Sequence, residues 1–206
     1  MHNYINNQTV ESVIWSAVER FSVQAIQFVL TIILARLISP AEFGLIAMLG
    51  IFMQVAQSFV DSGFSNALIQ KRNRTEADFS TVFYFNCIIS IVTYIALYIA
   101  ASHIAQFYDE PILENICKWI GVNLIIQGVA VVQVAKLTID LNFKTQAKSS
   151  LVAITISGIL GVYLAYNGYG VWALVFQHLT NTFVDMCILW ITVKWRPEFY
   201  FSFKRL

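Results

Sequence analysis

Most charged residues of this chain fall between long apolar runs, but a few side chains with a capacity for chemistry are stranded inside them. Arg20, Gln24 and Gln27 fall in the first run, Gln54 and Asp61 at the second, and His178, Asn181 and Asp185 in the sixth. A charge at mid-membrane costs from about 3 kcal/mol upward, so such groups normally face a cavity or a partner. Their types suit ion pairing, hydrogen bonding to a polar ligand, and proton or cation binding. They do not suit bond breaking. The sequence has no Gly-rich phosphate loop, nucleophile elbow, His-Glu-x-x-His or paired-carboxylate constellation. No catalytic residue, metal site or cofactor is expected, and no nucleic acid partner. If the protein moves something, the energy comes from an ion gradient (H+ or Na+), the substrate's own gradient or another subunit.

Helical spacing sharpens the pattern. At about 100° per residue, Ser16, Arg20, Gln24, Gln27 and Thr31 fall close to one line. Gln54, Ser58, Asp61 and Ser65 align likewise, with Gly50 above them, as do His178, Asn181, Thr182 and Asp185. Three stripes argue for a shared hydrophilic cavity. Arg20, about two turns inside its helix, is read either as a cavity charge or as a salt-bridge partner of Glu19 or Asp61. Asp185 is nearest mid-membrane of the acids, and is either a proton or sodium site or a partner for Arg20. Glu19 points away from the stripe, which suits a structural role. Asp61 precedes Ser62-Gly63 near an interface, where a helix-end role competes with substrate contact. A lone His such as His178 is more often a packing residue than a ligand. Asn123 and Gln127, and Asn86, Ser90 and Thr93, read as hydrogen-bond glue between helices.

The elements that carry these residues are membrane helices. Val13 to Ile38, Phe43 to Val60, Val82 to Ala101, Ile116 to Ala135, Ser149 to Asn167 and Val171 to Val193 are each about long enough to cross a bilayer core. Hydrophobic residues make up 58% of the chain and charged residues 12%, against roughly a quarter charged in soluble domains. The fold class is all-α: one polytopic bundle of six transmembrane helices over residues 1–206, with connections too short for a soluble domain. The polar start Met1 to Glu11 lacks Lys and Arg and does not resemble a secretory signal. Cys87, Cys117 and Cys187 have no metal-like spacing and read as buried apolar side chains.

Basic residues set the expected orientation. Lys71, Arg72, Arg74, Lys136, Lys144, Lys148, Lys194, Arg196, Lys204 and Arg205 fall in one set of connections and only Arg36 and Lys118 in the other. The positive-inside rule then places both termini in the cytoplasm. The segments read as three hairpins. Ser39-Pro40-Ala41-Glu42 forms a tight turn with Ser39 as a helix cap. Gln70 to Asp78 is a charged loop, and His103 to Glu114 a longer one turning at Asp109-Glu110-Pro111. Lys136 to Lys148 is an amphipathic loop. Asn167-Gly168-Tyr169-Gly170 is a turn whose glycines supply positive φ. The tail from Trp195 to Leu206 is aromatic and basic, as for a segment resting on a leaflet.

The connections also carry a resemblance. Ser39-Pro40-Ala41-Glu42-Phe43-Gly44, then Asp61-Ser62-Gly63-Phe64 with Ala67-Leu68-Ile69-Gln70, are similar to bacterial polysaccharide flippases. These are the O-antigen, exopolysaccharide and teichuronic acid exporters of the multidrug/oligosaccharidyl-lipid/polysaccharide superfamily. Ser80-Thr81-Val82-Phe83-Tyr84, Ile104-Ala105-Gln106-Phe107-Tyr108, Leu141-Asn142-Phe143-Lys144, Gly168-Tyr169-Gly170-Val171-Trp172-Ala173-Leu174-Val175 and Arg196-Pro197 with Phe201-Ser202-Phe203 follow in order. The resemblance implies export of an undecaprenyl-linked oligosaccharide from the inner to the outer leaflet of the bacterial plasma membrane, by alternating access. It implies Arg20 as a contact for the lipid pyrophosphate, with the polar stripes holding the sugars. Members of that family are about twice as long, so this chain resembles an amino-terminal lobe, completed by a second lobe or a second copy. Two other readings stand beside it: another exporter of the superfamily, for drugs or peptidoglycan precursor, and a non-transporting scaffold for polysaccharide assembly.

Overall fold

The structure, a computed structural model, describes residues 2–61, 64–71 and 73–198, and within these the side chains outside positions 2–14, 16, 18, 19 and 64–66. Seven helices follow in order: α1 (His2–Leu37), α2 (Pro40–Val60), α3 (Phe64–Gln70), α4 (Glu76–Phe107), α5 (Ile112–Ile139), α6 (Phe143–Tyr166) and α7 (Val171–Thr192). All but α3 are long and apolar enough to span a membrane. With no water in the bilayer core, backbone groups must pair within the segment, and a helix does that.

The helices outrun the expected segments because polar residues near their ends are good helix formers. α4 continues through His103 to Phe107, and α5 through Lys136 to Ile139. Lys144 and Lys148 belong to α6. The expected loops at 103–114 and 136–148 therefore shrink to residues 108–111 and 140–142. Three helices stop in the same way, with a residue in left-handed conformation just past the cap: Asp109 (φ 55°), Leu141 (φ 52°) and Gly168 (φ 79°). In each, two backbone N–H groups reach back into the last turn; Asn142 N bonds Leu137 O at 2.9 Å, and Leu141 N bonds Thr138 O at 3.2 Å. Asn142 then caps α6, its Oδ1 accepting from Thr145 N at 3.2 Å.

Ser39 is the expected cap. Its Oγ accepts from Glu42 N, while Glu42 Oε2 accepts from Ser39 N at 3.0 Å, a reciprocal capping box. The other oxygen of Glu42 accepts from Val171 N at 3.2 Å, tying the start of α2 to the start of α7. At the opposite end of the bundle, Glu76 accepts from Trp195 Nε1 at 2.6 Å and faces Lys136 Nζ at 3.3 Å. Lys136 also lies over the rings of Phe79 and Trp195. This cluster straps the chain leaving α7 to α4 and α5.

Packing corrects one expectation. α4 lies along α5 and α6 along α7, as hairpins should, but α1 packs along α6 and not along α2. α2 instead leans on α4, α5 and α7. The main apolar core joins Leu49, Ala56 and Val60 of α2 to Leu97, Ile104, Ile116, Ile120 and Val175. A smaller one joins Leu34 of α1 and Ile38 just past it to Ala165 and Ala173. The first two spans thus stand apart, and a cleft runs between them.

Candidate functional site in the cleft between α1 and α2

Two polar cavities occupy the cleft. The one nearer the Ser39 end has a volume of about 440 Å³ and is lined by Gln27 of α1, Gly50 of α2, Ser157 of α6, and Gln177, His178 and Asn181 of α7, among apolar neighbours. The second, also about 440 Å³, lies nearer the Lys136 end. Its polar wall comes from Gln57 and Asp61 of the second span, Gln127 of α5, Ser150 of α6, and Asn181, Thr182 and Asp185 of α7. Asn181 lines both, so the two are adjacent within the membrane-spanning helices.

The α7 stripe holds together: His178, Asn181, Thr182 and Asp185 all face the cleft. The α1 and α2 stripes do so only in part. Gln27 lines the first cavity, while Arg20 and Gln24 are exposed outside both linings. α1 runs from His2 to Leu37, so Arg20 lies well inside this helix. Among the described residues it has no ion pair with Asp61 or Asp185. On α2, Gly50 and Asp61 reach the cleft, but Gln54 and Ser58 are exposed and Gln57 takes their place. The side chains of Ser16, Glu19 and Ser65 lie outside the described residues, as do Ser62, Gly63, Arg72 and the tail from Phe199.

The partners of the two acids are neutral. Asp61 Oδ1 accepts from Gln57 Nε2 at 3.0 Å. Asp185 accepts from Ser149 Oγ of α6, a bond that joins α6 to α7; of its two readings, the pairing with Arg20 is not seen among the described residues. Gln127, read as glue, lines the second cavity instead. Asn86 and Ser90 turn back onto their own helix, bonding Val82 O and Cys87 O at 2.9 Å. Asn123, fully buried, has no hydrogen-bond partner among the described residues. Gln57, Ser150, Ser157 and Gln177 were not singled out by the sequence. Gln57 had one available signal, its place one turn before Asp61. Cys117 is buried, and Cys87 and Cys187 are half-buried; all three are free.

A third hollow, about 780 Å³, lies between α2 and α4 and is apolar except for Thr93 and His103. It is a lateral groove of hydrocarbon character, separate from the cleft. Among the described residues no group of His, Cys, Asp and Glu is placed to hold a metal ion. The cleft can solvate a polar ligand at membrane depth, offering amide and hydroxyl groups throughout and carboxyl groups toward the Lys136 end.

Residues 33–206 match the family described as "Polysaccharide biosynthesis protein". The chain belongs to that family. It is 26% identical to the succinoglycan biosynthesis transport protein ExoT of Rhizobium meliloti, over 98% of this chain and 41% of the relative. It is 25% identical to the teichuronic acid biosynthesis protein TuaB of Bacillus subtilis, over 97% of this chain and 42% of the relative. With the lipopolysaccharide biosynthesis protein WzxC of Escherichia coli the identity is 22%, over 59% of this chain and 25% of the relative. The chain spans about two fifths of the length of the first two. No solved structure matches it. With six membrane-spanning helices and these relatives, it is a multi-pass protein of a bacterial plasma membrane.

Proposed function

We propose that this chain forms one wall of a passage through which an undecaprenyl-linked oligosaccharide crosses from the inner to the outer leaflet. The observation that carries the reading is the pair of adjacent cavities with polar walls in the cleft between α1 and α2, in an otherwise apolar membrane bundle. A purely structural bundle gains nothing from placing Asp61, Gln57, Gln127, Asn181 and Asp185 around open space, since polar groups at membrane depth are costly. The relatives named for succinoglycan transport and for teichuronic acid and lipopolysaccharide synthesis support a polysaccharide cargo. The basic residues orient the Lys136 end toward the cytoplasm, so the lipid phosphate would meet Arg20 at that mouth and the sugars would lie along the cleft. Alternating access requires one bundle to move against another. The opposite wall is therefore a second lobe or a second copy of this chain. Energy comes from a gradient, with H+ or Na+ as the coupling ion, and no covalent chemistry is assigned to any residue.

The test is complementation of a strain lacking its polysaccharide flippase, with this chain alone and then with a carboxy-terminal lobe supplied. Surface polymer in either arm is expected, together with its loss in Arg20→Ala and in Asn181→Leu at unchanged membrane abundance. Polymer unaffected by both substitutions would point to a scaffold whose cleft carries nothing.

A further inference from the structure

Charge is distributed unevenly along the cleft. Among the described residues, the cavity nearer the Ser39 end has no ionisable side chain in its wall except His178. The wall of the cavity nearer the Lys136 end has two carboxyl groups, Asp61 and Asp185, and among the described residues no Lys, Arg or His. One oxygen of each carboxyl is engaged, by Gln57 and by Ser149. Both carboxyl groups line the cavity beside the amides of Gln127 and Asn181.

Cations gather at the rim instead. Arg20 lies three residues before Val23, which lines the cavity, and so stands one turn below it on the same face. Lys148 of α6 is exposed but points about 160° away from Ser150, outside the cavity wall. Lys144, one turn further out, sits 5.1 Å over the ring of Trp15. From the Lys136 end inward the order is therefore basic rim, carboxyl groups, neutral amides.

We infer that the part of the headgroup meeting Asp61 and Asp185 carries hydroxyl or amine donors and no acid group, while its phosphate stays at the Arg20 rim. Sugar hydroxyls and ammonium groups satisfy a carboxylate oxygen with charge-assisted hydrogen bonds. A uronate or phosphate at the same place adds a further negative charge where the wall has no cation to offset it. The neutral cavity beyond makes no such demand. This selectivity rests on the passage proposed above, and it identifies the class of oligosaccharide as neutral or amino-sugar rather than acidic.

Charge selectivity of the cavity can be read without any transport. The full chain, with its three cysteines replaced by alanine, receives a single reporter at Ala130→Cys in the carboxyl-lined cavity or at Ala47→Cys in the neutral one. Unsealed membranes are treated with aminoethyl and sulfonatoethyl methanethiosulfonate, and each rate is divided by that of a free thiol in solution. At Ala130→Cys the cationic reagent is expected to lead on the order of tenfold; at Ala47→Cys the ratio is expected near one. Asp61→Asn and Asp185→Asn each lower the ratio at Ala130→Cys, and together they bring it close to one. A ratio near one at Ala130→Cys, a preference that survives both asparagines, or a reporter that neither reagent reaches would overturn the inference. Charge preference without complementation would instead count against the transport reading alone.

Discussion

α1–α2 and α4–α5 are both pairs of membrane helices joined by a tight turn, yet one pair closes and the other opens. Between α4 and α5, Gly128 brings the two backbones together. A Cβ there would collide with the Ser90 side chain and meet the Asn86 carbonyl oxygen at 3.1 Å. On α2, a Cβ at Gly44 or Gly50 would find nothing within 4 Å. Association of membrane helices rests on close packing rather than on hydrophobic burial, so small residues that meet a neighbour decide which faces join. α1 finds such a place on α6, where a Cβ at Gly158 would lie 2.6 Å from Leu30. The same residue type therefore seals one hairpin and leaves room in another, and the difference is a cleft.

That contrast can be broken at its strongest point. Gly128→Val should cost about 3 kcal/mol by overpacking a contact partly made of backbone, seen as a lower midpoint in detergent unfolding and loss of protease resistance across α4–α5. Gly158→Ala should cost less, about 1 kcal/mol, because the crowded atoms are the ends of a flexible leucine; its mark would be faster proteolysis of α1 with α4–α5 unaffected. Leu141→Gly separates backbone strain from packing. Relieving a left-handed leucine should stabilise the chain by up to about 1 kcal/mol, and an unchanged midpoint would show that this turn contributes no strain. Smallest of all is Gly50→Ala, expected within about 0.5 kcal/mol of the parent because its methyl enters open space. A loss like that of Gly128→Val would mean the cleft at α2 is closed in the membrane.

Local chemistry was legible in the sequence where a residue's immediate neighbours decide its structure. The Ser39–Glu42 capping box, the turn at Asp109–Pro111 and the positive φ of Gly168 and Gly170 follow from residue type and spacing. So do the six spans. Pairing was not legible, because every face of these helices is apolar enough for lipid or protein alike, and hydropathy cannot tell which of them α1 will choose. The α7 stripe stays together on the cleft because its helix is fixed on both sides by α5 and α6. The lines on α1 and α2 reach the cleft only in part, because helical spacing tells which residues share a face and not where that face points. Asn123 and Gln127 show the same limit: both are amides on α5, but one is sealed in the packed interior and the other opens to the cavity.

α1 meets its partner late in time as well as far along the chain. Leu30 and Gly158 are roughly 130 residues apart, which at about 5–20 residues per second of synthesis is an interval of roughly 6–26 s. Throughout it the first helix must remain in the bilayer with lipid, the translocation machinery or a chaperone against the face that Gly158 will later cover. The α4–α5 pair, by contrast, is complete as soon as its own turn has been made. A ribosome stalled between these two moments should expose Leu30 to a crosslinker and already hide Gly128.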